Sequence, residues 1–369
     1  MTSKKETKPI VIAVMGATGT GKSTFVNLAS GGKLTVGDGL RSCTSEVAYS
    51  KQFLLDGRRV VLIDTPGFDD TTVSDTDILK RIALELQMTY EQGFKLSGIL
   101  YLYRISDVRM GGISRRNLNM FRKLCGDDTL KNVLLVTTMW GLVDPVKGTA
   151  REEQLATDEL LFKPILDGGA RMVRHDNTLG GAHDVIRMVL RNHPLPLLIQ
   201  KELVDEGKDI SETGAGEALG QELAELARKH RDEIKQVQQE MAEAMAEKDE
   251  QTRKELDAYQ KQLQQSMEKA EQDRDRLSSE YKAEKKRADE EMQKIRQQLQ
   301  EERKLREERQ RQLDLLQDEL KRNANLSSEM QAEMRGEIQR LQARLEDGNS
   351  GGFFGLMGRA FNALFRGRF

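Results

Sequence analysis

From Lys8 to about Leu190, short apolar runs bounded by turn residues alternate with longer stretches in which apolar positions recur at helical spacing. Ile10 to Met15, Val60 to Ile63, Ile99 to Tyr103 and Val133 to Thr137 are β-branched or aromatic, and each predicts a buried strand. Glu46 to Leu55 alternates more openly and leads through Asp56-Gly57 into the second run, which predicts one arm of an antiparallel hairpin. Strands alternating with helix-length segments give an α/β domain on a mixed, mostly parallel sheet with flanking helices. His193-Pro194-Leu195-Pro196 stops that pattern, because proline lacks the amide and biases its predecessor away from helix.

A different pattern follows. Leu219 to Leu345 is dominated by Glu, Lys, Arg, Gln and Ala, has no proline and, past Gly220, a lone Gly336, so it predicts one long helix or a few. Heptad-like spacing comes in patches: Ala288, Met292, Ile295 and Leu299; Leu313, Leu316 and Leu320; Met334, Ile338, Leu341 and Leu345. Unbroken, such a helix would reach on the order of 190 Å. Coiled-coil self-association, a solvated single helix and a folded-back hairpin all fit these broken heptads. The expected layout is a flexible N-terminus (1–8), the α/β domain (9–192), a linker (193–217), the long helix or coiled coil (218–347), and a Gly-rich link with an aromatic, basic tail (348–369).

The 369 residues are 37% hydrophobic and 32% charged, a balance that leaves part of the chain outside any globular core. A formal net charge of −2 argues against a polycationic nucleic-acid binder. Cys43 and Cys125 form no CxxC pair, so neither a disulfide framework nor a thiolate metal site has support, and a reducing cytoplasm is expected. No apolar run reaches the ~20 residues of a membrane span, and the N-terminus lacks the apolar region of a signal peptide.

Gly16-Ala17-Thr18-Gly19-Thr20-Gly21-Lys22-Ser23 reads G-x-x-x-x-G-K-S directly after the first strand and before helical Thr24 to Leu28. Glycines let backbone amides turn inward around phosphates, and the helix N-terminus adds its positive end. Lys22 is placed to reach β- and γ-phosphates and Ser23 to give its hydroxyl to Mg²⁺. At the end of the second strand, Asp64-Thr65-Pro66-Gly67 offers a carboxylate for the metal and the Gly67 amide for the γ-phosphate. Between the motifs, Asp38 to Glu46 carries Ser42, Thr44 and Ser45; Thr44 is the expected hydroxyl that completes the Mg²⁺ shell, an ordinary polar loop residue being the alternative.

The order P-loop, hydroxyl loop, Asp64-Thr65-Pro66-Gly67 resembles the translation-factor-related P-loop GTPases. Cys43-Thr44-Ser45-Glu46-Val47 and Asp64-Thr65-Pro66-Gly67-Phe68-Asp69-Asp70 look similar to their septin and GIMAP-like (AIG-type) branch, especially fungal G-domain proteins. The resemblance covers roughly residues 8 to 192 and implies a G domain with GTP or GDP and Mg²⁺ as ligands. In that family an Asn/Thr-Lys-x-Asp motif reads guanine; here the place holds Thr138-Met139-Trp140-Gly141, without the lysine or the acid. Trp140 would stack on a base or fill a strand end, Asp144 is a candidate substitute acid, and Asn177 matches the Asn that GIMAP-like proteins set against the base.

The expected nucleotide-binding residues are therefore Gly16, Ala17, Thr18, Gly19, Thr20, Gly21, Lys22, Ser23, Thr24, Thr44, Gly67, Thr138, Trp140 and Asn177, with Ser23, Thr44 and Asp64 at the metal. The resemblance also implies slow hydrolysis: Phe68 stands where Ras-like members have a water-orienting glutamine. Relatives with an apolar residue there obtain the missing group from a dimer partner or from K⁺, and the K⁺ users have Asn where this loop has Gly19. A donor in trans follows as the expectation, with Arg104, Arg109, Arg115 and His175 as unranked candidates and a solvated charged face as the bland alternative.

In the tail, Phe354, Met357, Phe361, Leu364 and Phe365 share a helical face, with Arg359, Asn362 and Arg366 towards the other. Aromatics with arginines and no acid suit peripheral insertion at an anionic membrane; docking in a protein groove uses the same face. The functional reading is a GTPase switch or scaffold acting through its helical rod, cytoplasmic, homodimeric or oligomeric through the G domain or coiled coil. The alternative is a nucleotide-binding interaction protein with little or no turnover.

Overall fold

The computed structural model describes residues 8–34, 47–68, 73–107, 112–246, 250–322 and 333–340. Seven strands form one sheet: β1 (Ile10–Gly16), β2 (Ala48–Tyr49), β3 (Phe53–Leu55), β4 (Arg58–Asp64), β5 (Leu96–Arg104), β6 (Val133–Thr138) and β7 (Arg171–Arg174). Their order is β2-β4-β1-β5-β6-β7, with β3 also on β4. Every pairing from β4 to β7 is parallel, and β2 and β3 run antiparallel to β4. The mixed sheet read from the run pattern is the one observed.

The expected hairpin arm is broken in two. Ser50 interrupts it, accepting the Leu62 amide on its Oγ (2.9 Å) while its own amide donates to Leu62 O (2.8 Å), so a side chain replaces one rung of the ladder. The turn into β4 places Asp56 at φ 50° and Gly57 at φ 74°, the pair of positive angles that a tight two-residue hairpin requires.

Helices α1 (Lys22–Ser30) and α6 (Leu179–Leu190) close one face of the sheet, where Phe25, Val26, Val185, Ile186 and Val189 pack with Ile12, Val14, Leu62, Leu100 and Leu134. The other helices of this region are α2 (Asp75–Glu91), α3 (Gly112–Cys125), α4 (Pro145–Thr157) and α5 (Lys163–Asp167). Helix α2 is unusual in being covered on all sides: Lys80, Arg81, Glu85 and Gln87 are buried along with its apolar residues.

What covers α2 is the segment after the prolines, and here the expected linker over 193–217 is corrected. The Leu195 amide bonds Leu96 O (3.1 Å), short α7 (Leu198–Gln200) runs on into a π-helical turn at Lys201–Asp205, and Leu197, Ile199, Leu203 and Ile210 are buried. Gln200 Nε2 donates to Leu86 O of α2 (2.7 Å). The prolines end a helix; the globular unit continues through Glu284.

Helix α8 (Gly214–Ala246) and the first part of α9 (Glu250–Arg322) belong to that unit. Arg231 of α8 pairs with Glu271 of α9 at 2.8 Å, so the chain folds back, as in the hairpin alternative, up to residue 284. On α2, Glu280 pairs with Lys80, and Tyr281 donates to Gln87 Oε1 at 2.5 Å. Ser278 and Lys282 both reach Asp209 at 2.7 Å, and against the cost of burial these partners hold the Asp209 carboxyl below its ordinary range.

The second unit comprises Lys285 to Phe369. Its described part is the remainder of α9 and a helical stretch over 333–340. Ala288, Met292, Ile295 and Leu313 from the heptad patches are buried, whereas Leu315 beside them is exposed. The Gly-rich link and the tail at 353–369 lie outside the described residues. Among the described residues no helix is long and apolar enough to cross a membrane.

Candidate nucleotide-binding site

The site forms where β1 stops. Gly16 sits at φ 138°, and a Cβ there would lie 2.3 Å from Leu102 O on β5, so a larger residue would push the two central strands apart. Gly19 and Gly21, at φ 76° and 90°, turn the loop into α1, which begins at Lys22. Lys22 folds back over the loop, donating from Nζ to Gly16 O (3.0 Å) and Ala17 O (2.9 Å), and Thr20 Oγ1 donates to Ala17 O (2.8 Å). Ser23 and Thr24 follow in the first turn, whose open amides face anions at a helix start.

The second motif lies directly on this loop. Thr18 N donates to Phe68 O at 2.8 Å, and a Cβ on Gly67 would stand 2.7 Å from Thr18 Cα. Thr18 Oγ1 is buried without a hydrogen-bond partner among the described residues. Ser23 Oγ donates to Asp64 Oδ2 at 2.5 Å, while Asp64 Oδ1 is buried and has no such partner. Burial pushes the Asp64 carboxyl up to about 6, against the pull of the Ser23 hydroxyl and the Lys22 ammonium. A hydroxyl beside a carboxylate with one unsatisfied oxygen fits a hydrated Mg²⁺, held by Ser23 directly and by Asp64 through water. Thr44 lies outside the described residues.

Further along the sheet edge, Thr138 Oγ1 donates to Thr20 O (3.0 Å), tying the end of β6 to the loop. Met139, at φ 61°, brings its methyl to 3.6 Å from where a Cβ on Gly21 would be. Trp140 is held by the protein itself: Nε1 donates to Thr137 Oγ1 (3.0 Å), and the Arg174 guanidinium, gripped by Glu152, covers one face at 4.0 Å. Its edge packs against Gly148, where a Cβ would come within 2.8 Å. One ring face is thus engaged before any base arrives. Asp144 caps α4, accepting from Val146 N and Lys147 N at 3.1 Å each, which commits the carboxylate that would have replaced an acid at Gly141. Asn177 is exposed at φ 61° beside Asp176, whose carboxylate is taken up by Thr178.

The four candidate donors separate. Arg104 reaches the loop. Arg109 lies outside the described residues. Arg115 lines a cavity of about 330 Å³ with Arg116, Asn119, Pro164 and Glu222. His175 is buried edge-on to Phe25 at 5.0 Å, neither ring nitrogen has a hydrogen-bond partner among the described residues, and burial lowers its basicity, so it supplies no cation. Phe68 is fully buried and contributes only its carbonyl, in keeping with the absence of a water-orienting side chain there.

Residues 11–137 match the family described as 50S ribosome-binding GTPase, a span that contains β1, the loop, Asp64 to Gly67 and β5. This chain carries a P-loop GTPase G domain. Toc33 from Arabidopsis thaliana in complex with GDP and Mg²⁺ is 20% identical over 47% of this chain and 73% of its own, with a TM-score of 0.36. Era from Aquifex aeolicus bound to GDP and AlF₄⁻ is 16% identical over 51% and 58%, with a TM-score of 0.37. The G domain's match ends at Thr137, before the base-side residues and all of the C-terminal helices.

Proposed function

We propose that this protein binds GTP with Mg²⁺, hydrolyses it slowly, and passes the nucleotide state to its C-terminal helices as a switch or scaffold. The observation that carries this reading is the pair of buried, unpartnered oxygens, Thr18 Oγ1 and Asp64 Oδ1, set around the Lys22–Ser23 helix start. Polar atoms left unsatisfied in a buried loop of glycines await a polar ligand. The match to a GTPase family favours guanine over adenine nucleotides, and the Cys43 to Val47 and Asp64 to Asp70 wording favours the septin and GIMAP-like branch. When bound, Mg²⁺ would neutralise charge on the β- and γ-phosphates. Lys22 binds those phosphates, Ser23 and Asp64 hold the metal, and the Thr18–Phe68 contact reports their presence to the segment leading into α2.

Helix α2 is the natural relay, because α9 is docked on it through Lys80, Gln87, Glu280 and Tyr281. Pairing of G domains into a homodimer or oligomer, which raises turnover, belongs to the same reading, as do a cytoplasmic location and peripheral membrane contact through 353–369. Amide hydrogen exchange in the full chain tests it. Protection over 271–284 is expected to differ between the GDP-loaded protein and one loaded with a non-hydrolysable GTP analogue, and turnover per chain to rise with protein concentration. Equal protection in both states, with α1 protected by nucleotide, would remove the relay from the account.

A further inference from the structure

We propose that Arg104 supplies, from within its own chain, the cation that faces the phosphates of bound nucleotide. This rests on the reading that the loop holds GTP. A Cβ built on Gly19 would lie 3.0 Å from Arg104 Nη1 and 3.8 Å from Cζ, and beyond its chain neighbours it meets no other described residue within 4 Å. The guanidinium therefore rests against the point where a side chain of loop residue 19 would begin. Gly19, at φ 76°, leaves that place open.

The arginine is fixed by its surroundings. It is the last residue of β5, in register with Thr138, and the next amide, Ile105 N, donates to Thr138 O at 3.0 Å. Thr138 in turn holds Thr20 O, so the strand end and the phosphate loop share one anchor. Asp107 closes a turn onto Arg104 O (3.2 Å), and its carboxylate takes Arg104 Nε at 3.1 to 3.2 Å. Arg151 of α4 clamps that turn, donating from Nη1 to Ile105 O (2.9 Å) and Ser106 O (3.0 Å). With Nε held by Asp107, Arg104 turns Nη1 towards the loop, and its side chain is 37% exposed, so a ligand can reach it. An isolated ion pair so exposed contributes little to stability, and a guanidinium beside the phosphate loop has its natural counter-charge in a bound anion.

In hydrolysis the water oxygen bonds to the γ-phosphorus while the bond from that phosphorus to the β–γ bridging oxygen breaks. The electron pair leaves on GDP, and the water's protons end on inorganic phosphate and solvent. Charge grows on the bridging oxygen as that bond breaks, and a preorganised guanidinium at Gly19 stabilises it without waiting for a partner. Pairing of two G domains then acts on loop order and does not deliver the cation.

The test compares wild-type full-length protein with Arg104→Ala and Arg104→Lys. Arg104→Ala is expected to lower kcat roughly a hundredfold and the affinity for GDP with aluminium fluoride similarly, with GDP affinity changed by less than about threefold. Millimolar guanidinium restores part of the loss; the lysine variant, lacking the fork, restores little. Adding Lys22→Ala chains, which carry Arg104 but bind nucleotide at least a hundredfold more weakly, leaves the alanine variant slow. Unchanged kcat and fluoride-complex affinity, or recovery on adding the Lys22→Ala chains, would overturn the assignment, the latter by placing the donor in trans. A wild type that binds GTP without turning it over would sink the hydrolysis reading alone, since affinity for the fluoride complex still decides the role of Arg104.

Discussion

Lys22→Ala is expected to lower affinity for GTP with Mg²⁺ a hundred- to a thousandfold, about 3–4 kcal/mol, while leaving the folded protein intact. Lys22 is buried, and its ammonium bonds two loop carbonyls, Gly16 O and Ala17 O. Phosphate oxygens replace those neutral acceptors in the bound state, and an ammonium bonds an anionic oxygen more strongly than a neutral carbonyl. The loss thus falls on binding. Of the two carbonyls left behind, Gly16 O is buried and Ala17 O half-buried, so the melting temperature should fall by a few degrees while the fold persists, as followed by circular dichroism alongside equilibrium titration. Affinity within a few-fold of wild type would remove the loop as the phosphate site.

Glu85→Gln is expected to make the protein more stable above neutral pH and to flatten its stability profile between about pH 5 and 8. Glu85 lies in the middle of α2, fully buried, with Thr89 Oγ1 donating to Oε1 at 3.1 Å and Oε2 unpartnered among the described residues. Burial pushes its carboxyl from 4.5 up to about 8, the Thr89 hydroxyl opposing only in part. Below pH 4.5 folded and unfolded chains both hold the proton, and the group favours neither. As pH rises, the unfolded chain releases it while the folded chain keeps it, so stability falls until the folded carboxyl ionises near pH 8. At about 1.4 kcal/mol per pH unit, the whole window is worth on the order of 5 kcal/mol. Glutamine keeps the shape and the Thr89 bond and cannot ionise. Urea unfolding at pH 5, 6.5 and 8 checks this: the variant should gain on wild type at each step, and parallel profiles would show that Glu85 is charged in the fold.

Much of the G domain was legible because its four central strands, β4, β1, β5 and β6, each carry their own signal. Ile10 to Met15 and Val133 to Thr137 need both faces covered, and the G-x-x-x-x-G-K-S loop can serve phosphates only between a strand and a helix. Ser50 was not legible, since a hydroxyl that stands in for a backbone group looks like any polar residue. The packed stretch after Pro196 was hidden by its Pro, Gly and acidic residues, although Leu197, Ile199, Leu203 and Ile210 carry a signal in hindsight. Helix α2 shows a deeper limit. Lys80 is buried with its partner Glu280, two hundred residues later in the chain, a pairing that no local pattern announces. At the site, Arg104 stood among four equal candidates, because register across β5 and β6, not composition, sets it beside Gly19.

The central claim, that this loop holds a guanine nucleotide, is tested most directly by calorimetric titration of the full chain with GTP and with ATP in the presence of Mg²⁺. The account predicts one site per chain that takes GTP at least about tenfold more tightly than ATP, a difference of roughly 1.4 kcal/mol. Equal affinity, a preference for ATP, or no heat with either nucleotide would contradict it.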